Sequence, residues 1–163
     1  MRRNVLFLCT GNSARSILAE ALLGTLGAAR FVAYSAGSHP SGRVQPLAAE
    51  LATELGYPQE RLRSKSWDEY AVDDAPKMHI VITVCDDAAG EICPIWPGTP
   101  ATAHWGVPDP AAVEGSAEVR RAAFRETLEA LRRRIESMLA LPEETLDGPG
   151  AGTALDGITR AGR

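Results

Sequence analysis

The sequence is short of cysteine, of basic charge and of long apolar runs, and each shortage narrows what the protein can do. Its three cysteines, at 9, 85 and 93, are an odd number. A secreted disulfide scaffold needs more of them and an even count, so these thiols read as core residues, metal ligands or chemistry. No stretch approaches the roughly 18 apolar residues of a membrane span. "MRRNVLFL" opens with basic residues, but its apolar run is too short for a signal peptide and polar "TGNSARS" follows. The expectation is a cytoplasmic protein with no membrane partner. A formal net charge of −4 gives no general pull toward nucleic acid, so any anion site must be built locally. No internal repeat is visible.

What is present fits one ordinary globular domain. The chain has 163 residues, 45% hydrophobic and 23% charged, enough for a sizeable core. "NVLFL" reads as a short buried parallel strand. From Ser16 the pattern turns helical, with Ile17, Leu18, Ala21, Leu22 and Leu26 on one face and Gly27 as a stop. "RFVAYSAG" is a second strand and "VQPLAAELATELG" a second helix. "HIVITV" is a third, β-branched strand and "TAHWG" a short fourth. "SAEVRRAAFRETLEALRRRIESMLALP" is a long helix in which Phe124, Leu128, Leu131, Ile135 and Met138 recur at steps of four and three. Its arginines are interleaved with glutamates, which is a solvated face and not a nucleic-acid patch.

Strands alternating with helices predict an α/β, three-layer fold: a central, mostly parallel four-stranded sheet flanked by helices. The domain is expected over residues 1–142. Residues 143–163, "EETLDGPGAGTALDGITRAGR", are Gly-rich and read as a flexible C-terminal tail. Nothing calls for more than a monomer.

The stretch "CTGNSARS" carries the chemistry. A loop between a strand's carboxyl end and a helix's amino end gathers inward-pointing backbone N–H groups. With the helix macrodipole these form a cradle for a tetrahedral oxyanion, here from Thr10, Gly11, Asn12, Ser13, Ala14, Arg15 and Ser16. Gly11 is expected to supply the sharp turn, and Arg15 can grip two oxygens through its planar fork. A nucleotide P-loop is excluded, because no Gly-Lys-Ser/Thr closes the loop. Thiols at helix N-termini beside a cation titrate at about 3.5–7.5, against about 8.5 for a free thiol. Cys9 is therefore expected to be an ionised nucleophile, with Ser16 as a further donor to the sulfur. The plain alternative for a Cys ending an apolar strand is a small buried hydrophobe.

Cys, five residues, Arg, then Ser, placed between a first strand and a first helix, resembles the signature of the low-molecular-weight protein tyrosine phosphatase-like family. The resemblance runs from residue 4 to about 140 and includes the "SAG" after the second strand and a late Asp-Pro. It implies the phosphotyrosine phosphatase-like fold, an arsenate or phosphate oxyanion as substrate, and Asp109 of "HWGVPDPA" as general acid.

Two features resemble the arsenate reductases of the family more than its phosphatases. "VITVCDDAAGEICPIWPG" places Cys85 and Cys93 after the third strand, and "HWG" precedes the Asp-Pro, which is followed by Ala111 and Ala112 rather than aromatics. The resemblance implies that Cys9 forms a sulfur–arsenic adduct, Cys85 attacks Cys9 as arsenite departs, and Cys93 moves the disulfide outward. Thioredoxin, or a glutathione/glutaredoxin or mycothiol system, would then reduce it. Seven residues separate Cys85 from Cys93, one more than in the thioredoxin-coupled branch. Ala14 stands where many relatives carry another cysteine.

That branch also holds a potassium ion, and the matching positions are Asn12, Glu20, Ser35 and Asp68, all oxygen-bearing. Ordinary structural hydrogen bonding is the other reading of that group. Two rival functions stay open: a tyrosine or small-molecule phosphatase, and a metal-binding protein using Cys85, Cys93 and His104. The second is disfavoured by a spacing too long for a structural zinc site. Trp67 and Trp96 are candidates for apolar walls around the cradle, and His104 and Trp105 are expected to pack beneath the acid loop.

Overall fold

The computed structural model describes residues 2–85, 96 and 98–161. Strand β1, Arg3–Cys9, lies at the centre of a four-stranded parallel sheet in the order β2-β1-β3-β4. β2 is Phe31–Gly37, β3 is Ile80–Thr83 and β4 is Ala101–His104. β1 pairs with β2 from Arg3↔Phe31 to Cys9↔Gly37, and with β3 from Val5↔Ile80 to Leu8↔Thr83. This is the predicted sheet, with each strand within two residues of its sequence-based position.

Alternation along β1 divides the core in two, because successive side chains leave a strand on opposite faces. Val5, Phe7 and Cys9 face helix α1 (Arg15–Leu26) and helix α3 (Ala117–Leu139), meeting Ile17, Leu18, Leu22, Phe124, Leu128 and Leu131. Leu6 and Leu8 face the other way, onto Trp67, Tyr70, Met78 and Trp96. Trp67 and Trp96 meet edge to face at 6.3 Å, with rings 77° apart. They are the second core, so the expectation that they wall the cradle is not met.

Helix α3 keeps its predicted face: Phe124, Leu128, Leu131, Ile135 and Met138 are all buried. Ser116 caps it by accepting the Val119 amide at 3.2 Å, satisfying one of the donors a helix start leaves open. Arg121–Glu50 and Arg125–Glu54 link α3 to α2, Pro46–Glu54, across the surface. Exposed pairs of this kind set orientation more than stability. No described helix is long and apolar enough to cross a membrane.

The tail expectation is corrected. Residues 143–161 form two short helices, α4 (Glu143–Asp147) and α5 (Ala151–Ala161). Arg3 pairs with Glu143 and Asp147 of α4, and Arg30 reaches Glu143 at 2.7 Å. Ala151, Leu155 and Ile158 of α5 are buried in the main core. The composition misled at Gly152 in particular, which serves contact: a Cβ there would lie 2.8 Å from the Thr102 carbonyl oxygen, so only glycine lets α5 approach β4 this closely. Replacing Leu155 with Ala is expected to destabilise the domain by about 2–5 kcal/mol, the usual range for a buried leucine. Urea unfolding tests this, and a change below about 0.5 kcal/mol, typical of surface positions, would mean that the tail is not part of the core.

Candidate active site

The carboxyl ends of β1 and β3 lie side by side, with Val84 N donating to the Leu8 carbonyl at 2.8 Å. The chain leaves β1 for β2 on one side and returns through β3 on the other, so this is the point where strand order reverses, the usual ligand crevice of open α/β sheets. Cys9 ends β1, and Cys85 follows β3 by two residues. Cys85 acts on the ionisation of the Cys9 thiol, and the Thr10 amide donates to Cys85 Sγ at 3.3 Å. Both sulfurs are buried and reduced.

The loop from Cys9 to α1 is held from outside by its carbonyls. His39 N donates to Thr10 O at 2.9 Å, Ser41 N to Gly11 O at 3.0 Å and Gln45 N to Ser13 O at 2.8 Å. Ser64 Oγ also donates to Gly11 O, at 3.0 Å. With the carbonyls turned outward the amides turn inward, and the Gly11 amide pulls the Cys9 thiol pKa down. The left-handed residue is Asn12, at φ 45°, so the sharp turn expected of Gly11 falls one position later. Asn tolerates this region better than most residues. Gly37 is needed for closeness instead: a Cβ there would lie 2.4 Å from the Thr10 carbonyl oxygen.

Asn12 anchors the cradle through its side chain. Its Nδ2 donates to Ser16 Oγ at 2.8 Å and to Ser35 Oγ at 3.0 Å, and its Oδ1 accepts from Lys65 N at 2.9 Å. Ser16 Oγ accepts from Asn12, which leaves its O–H as the donor. Ser35 Oγ donates in turn to Glu20 Oε1 at 2.6 Å, and Tyr57 OH donates to Glu20 Oε2. Lys65 Nζ completes the group, 3.4 Å from Ser35 Oγ and 3.8 Å from Glu20 Oε1. Burial lowers the Lys65 pKa and Glu20 opposes that shift. Burial, with Glu20 beside it, pushes the Tyr57 phenol up, so it stays a donor.

This geometry does not fit potassium. Asn12, Glu20 and Ser35 converge as the resemblance implies, but the Lys65 ammonium already sits among them and both Glu20 oxygens have protein donors. Asp68 is exposed at a short turn, its amide on Ser66 Oγ at 3.1 Å. Among the described residues no group of three or more His, Cys, Asp or Glu could hold a metal ion. His104 Nδ1 is 2.6 Å from Thr83 Oγ1, within the sheet.

Arg15 bridges the cradle and the acid loop. Its Nη1 donates to Val107 O at 3.1 Å, and its Nη2 lies 3.9 Å from Asp109 Oδ2. Asp109 Oδ1 accepts the Ala111 amide at 3.0 Å, which turns the other oxygen toward Arg15. Trp105 packs fully buried beneath this loop, its ring 6.3 Å from that of Phe7. Cys9, Arg15, Asp109 and Cys85, far apart in sequence, thus form one constellation. Cys93 lies outside the described residues. Lys65, Tyr57 and Gly37 were not foreseen as parts of the site, and only the three-dimensional contacts reveal them.

The charge state of Cys9 differs from the sequence expectation. The neighbouring Cys85 and burial push the Cys9 thiol up, against the downward pull of Arg15 and the Gly11 amide. Two interacting thiols lose their protons in two steps, and the second is resisted by the charge left by the first. The helix terminus therefore acts on a pair. Replacing Cys85 with Ser removes the opposing charge, so Cys9 should titrate at a lower pH than in the parent chain. The pH dependence of iodoacetamide alkylation reads this directly, and an unchanged or higher midpoint would contradict the coupling.

Comparison with known proteins agrees with this architecture. Residues 4–147 match the low molecular weight phosphotyrosine protein phosphatase family. An arsenate reductase of Halalkalibacterium halodurans is 34% identical over 136 residues, 83% of this chain and 94% of that protein. A solved arsenate reductase in the phosphate binding state superposes with a TM-score of 0.66 at 29% identity, covering 85% of this chain and 97% of that one. A thioredoxin-dependent arsenate reductase of Corynebacterium glutamicum gives a TM-score of 0.59 at 25% identity, over 85% of this chain and 60% of that one. With residues 4–147 of its 163 matched by the family, the chain belongs to the low molecular weight phosphotyrosine protein phosphatase family.

Proposed function

We propose that this protein reduces arsenate to arsenite, using Cys9 as nucleophile and Cys85 as the first resolving thiol. The observation that carries the proposal is the seat of Cys85: its sulfur accepts the amide of Thr10, the residue next to Cys9, and it acts on the ionisation of the Cys9 thiol. Hydrolysis of a phosphate ester has no use for a second sulfur there. Reduction does, because two electrons must come from somewhere.

The steps balance with the residues at hand. Arsenate binds to the loop amides and to Arg15, whose fork suits a tetrahedral oxyanion. The Cys9 sulfur bonds to arsenic as its thiol proton passes to an arsenate oxygen, and that oxygen departs as water with a second proton from Asp109. Cys85 then gives up its proton, which restores the Asp109 carboxyl, and attacks Cys9 Sγ; the sulfur–arsenic bond breaks with its electron pair left on arsenic, and arsenite leaves as As(III). The two thiols have become a disulfide. A phosphorus adduct cannot accept that electron pair and only hydrolyses, so the same site would cleave phosphate esters slowly.

Return of the disulfide to dithiol needs an external thiol reductant. The proposal assigns Cys93 the outward transfer and a thioredoxin, or a glutathione/glutaredoxin-type system, the final reduction. Support comes from the thioredoxin-dependent structural neighbour. The Lys65–Glu20 pair would brace the loop that catalysis loads with negative charge, so no potassium requirement is expected.

Substitution of Cys85 by Ser separates this reading from a phosphatase. Arsenite production under thioredoxin and thioredoxin reductase, or under glutathione and glutaredoxin, should fall by at least about 100-fold, since a resolving thiol is as indispensable as other covalent participants. Hydrolysis of p-nitrophenyl phosphate should persist. Normal arsenate turnover in that variant would remove Cys85 from the relay. Efficient aryl phosphate cleavage by the parent chain, with no arsenite under either system, would make it a phosphatase.

A further inference from the structure

Helix α5 lies beyond residues 4–147, where the family match ends, yet it is built into the strand that leads to the acid loop. The Asp156 side chain accepts the His104 amide at 2.8 Å, and Thr159 Oγ1 donates to the His104 carbonyl at 3.3 Å. The indole N–H of Trp105 donates to the Leu155 carbonyl at 2.9 Å. β4 is an edge strand, and α5 thus takes up backbone groups that would otherwise face solvent or another chain. From His104 the chain reaches Asp109 in only five residues.

The other contacts to this segment come from three different elements. Trp105 N donates to Thr83 O at 2.7 Å and Val107 N to Val84 O at 3.2 Å, tying it to β3 and the residue after it. Arg134 of α3 donates to the Trp105 and Gly106 carbonyls at 2.9 and 3.1 Å. Arg15 of the cradle holds the Val107 carbonyl. These ties fix one side of residues 105–107; the His104 amide and the Trp105 indole are fixed from the α5 side. Proton delivery tolerates little misplacement, since a donor must sit within hydrogen-bond reach of the departing oxygen.

We propose that α5 is a positioning element for catalysis: Asp156 and the Leu155 carbonyl lock His104 and Trp105, and so set where Asp109 meets the bound oxyanion. This rests on Asp109 as the proton donor. Asp156 touches no substrate and acts through the loop alone. The α5 addition therefore tunes the acid step while leaving the cradle as it is.

A double-mutant cycle tests this on whichever reaction the parent chain sustains, arsenate turnover or aryl phosphate hydrolysis. Asp156→Ala should lower kcat about tenfold, a fraction of the 10²–10⁴-fold that general acid catalysis supplies. KM and the protection of Cys9 from iodoacetamide by phosphate should change less than about twofold, because the cradle is untouched. Asp156→Asn keeps an acceptor oxygen and should retain most of the activity. In an Asp109→Asn background, Asp156→Ala should cost almost nothing more, since residues acting through one group are not additive.

A full tenfold loss in that background, weakened phosphate protection, or unchanged kcat in Asp156→Ala would each overturn the proposal. Trp105→Phe removes the indole donor, with part of the buried ring, and gives the same comparison if Asp156→Ala melts too low to assay. Failure of Asp109→Asn to slow the reaction would overturn the role of Asp109 and this inference with it. Absence of arsenate turnover, with aryl phosphate cleavage intact, would instead count against the proposed function and leave the cycle readable.

Discussion

The pairing of β1 with β3 is the constraint from which the site follows. Parallel register places Leu8 opposite Thr83, so the residues just past each strand end side by side, and both are cysteines. Neither helix propensity nor loop composition could bring these sulfurs together across 75 intervening residues. The sheet does so as a by-product of burying Leu6, Phe7 and Leu8 against Val81 and Ile82. Packing energy therefore holds the dithiol in place before any oxyanion arrives, and no ordering of a long loop is needed for the first sulfur transfer.

Behind the cradle, polar groups are buried at a cost that hydrophobic residues would not incur. Glu20 and Lys65 are 2% and 6% exposed, and removing such charges from water is expensive unless every partner is in place. Here they are: Tyr57, Ser35, Asn12 and the Arg63 carbonyl account for the donors and acceptors. A fully satisfied network of this kind is stiff. It reaches the cradle loop through Asn12, which holds the left-handed turn. We read the network, together with the outward bonds to the loop carbonyls, as what keeps the loop amides aimed inward against their mutual repulsion.

Much of this was legible in the sequence, for identifiable reasons. The strands and the face of α3 follow from local periodicity, which burial enforces residue by residue. The cysteine loop was legible because its function requires a fixed order of a strand ending in Cys9, five residues and a helix. Three things were not. Lys65 sits in "RLRSK", which looks like a surface run, and only its neighbour Glu20 marks it as buried. The ionisation of Cys9 depends on Cys85, a tertiary neighbour invisible to an argument from its own helix. Residues 148–157 carry four glycines, which composition reads as looseness, whereas at Gly152 the missing side chain permits close contact with β4.

The account stands on two sulfurs exchanging a bond at one site. Its most direct test is a single turnover: reduced Cys93→Ser chain, excess arsenate, no external reductant, then acid quench and peptide mass spectrometry. The account predicts about one arsenite per chain, with Cys9 disulfide-bonded to Cys85. Arsenite formed while Cys9 and Cys85 remain free, or a complete absence of both arsenite and disulfide, would contradict it.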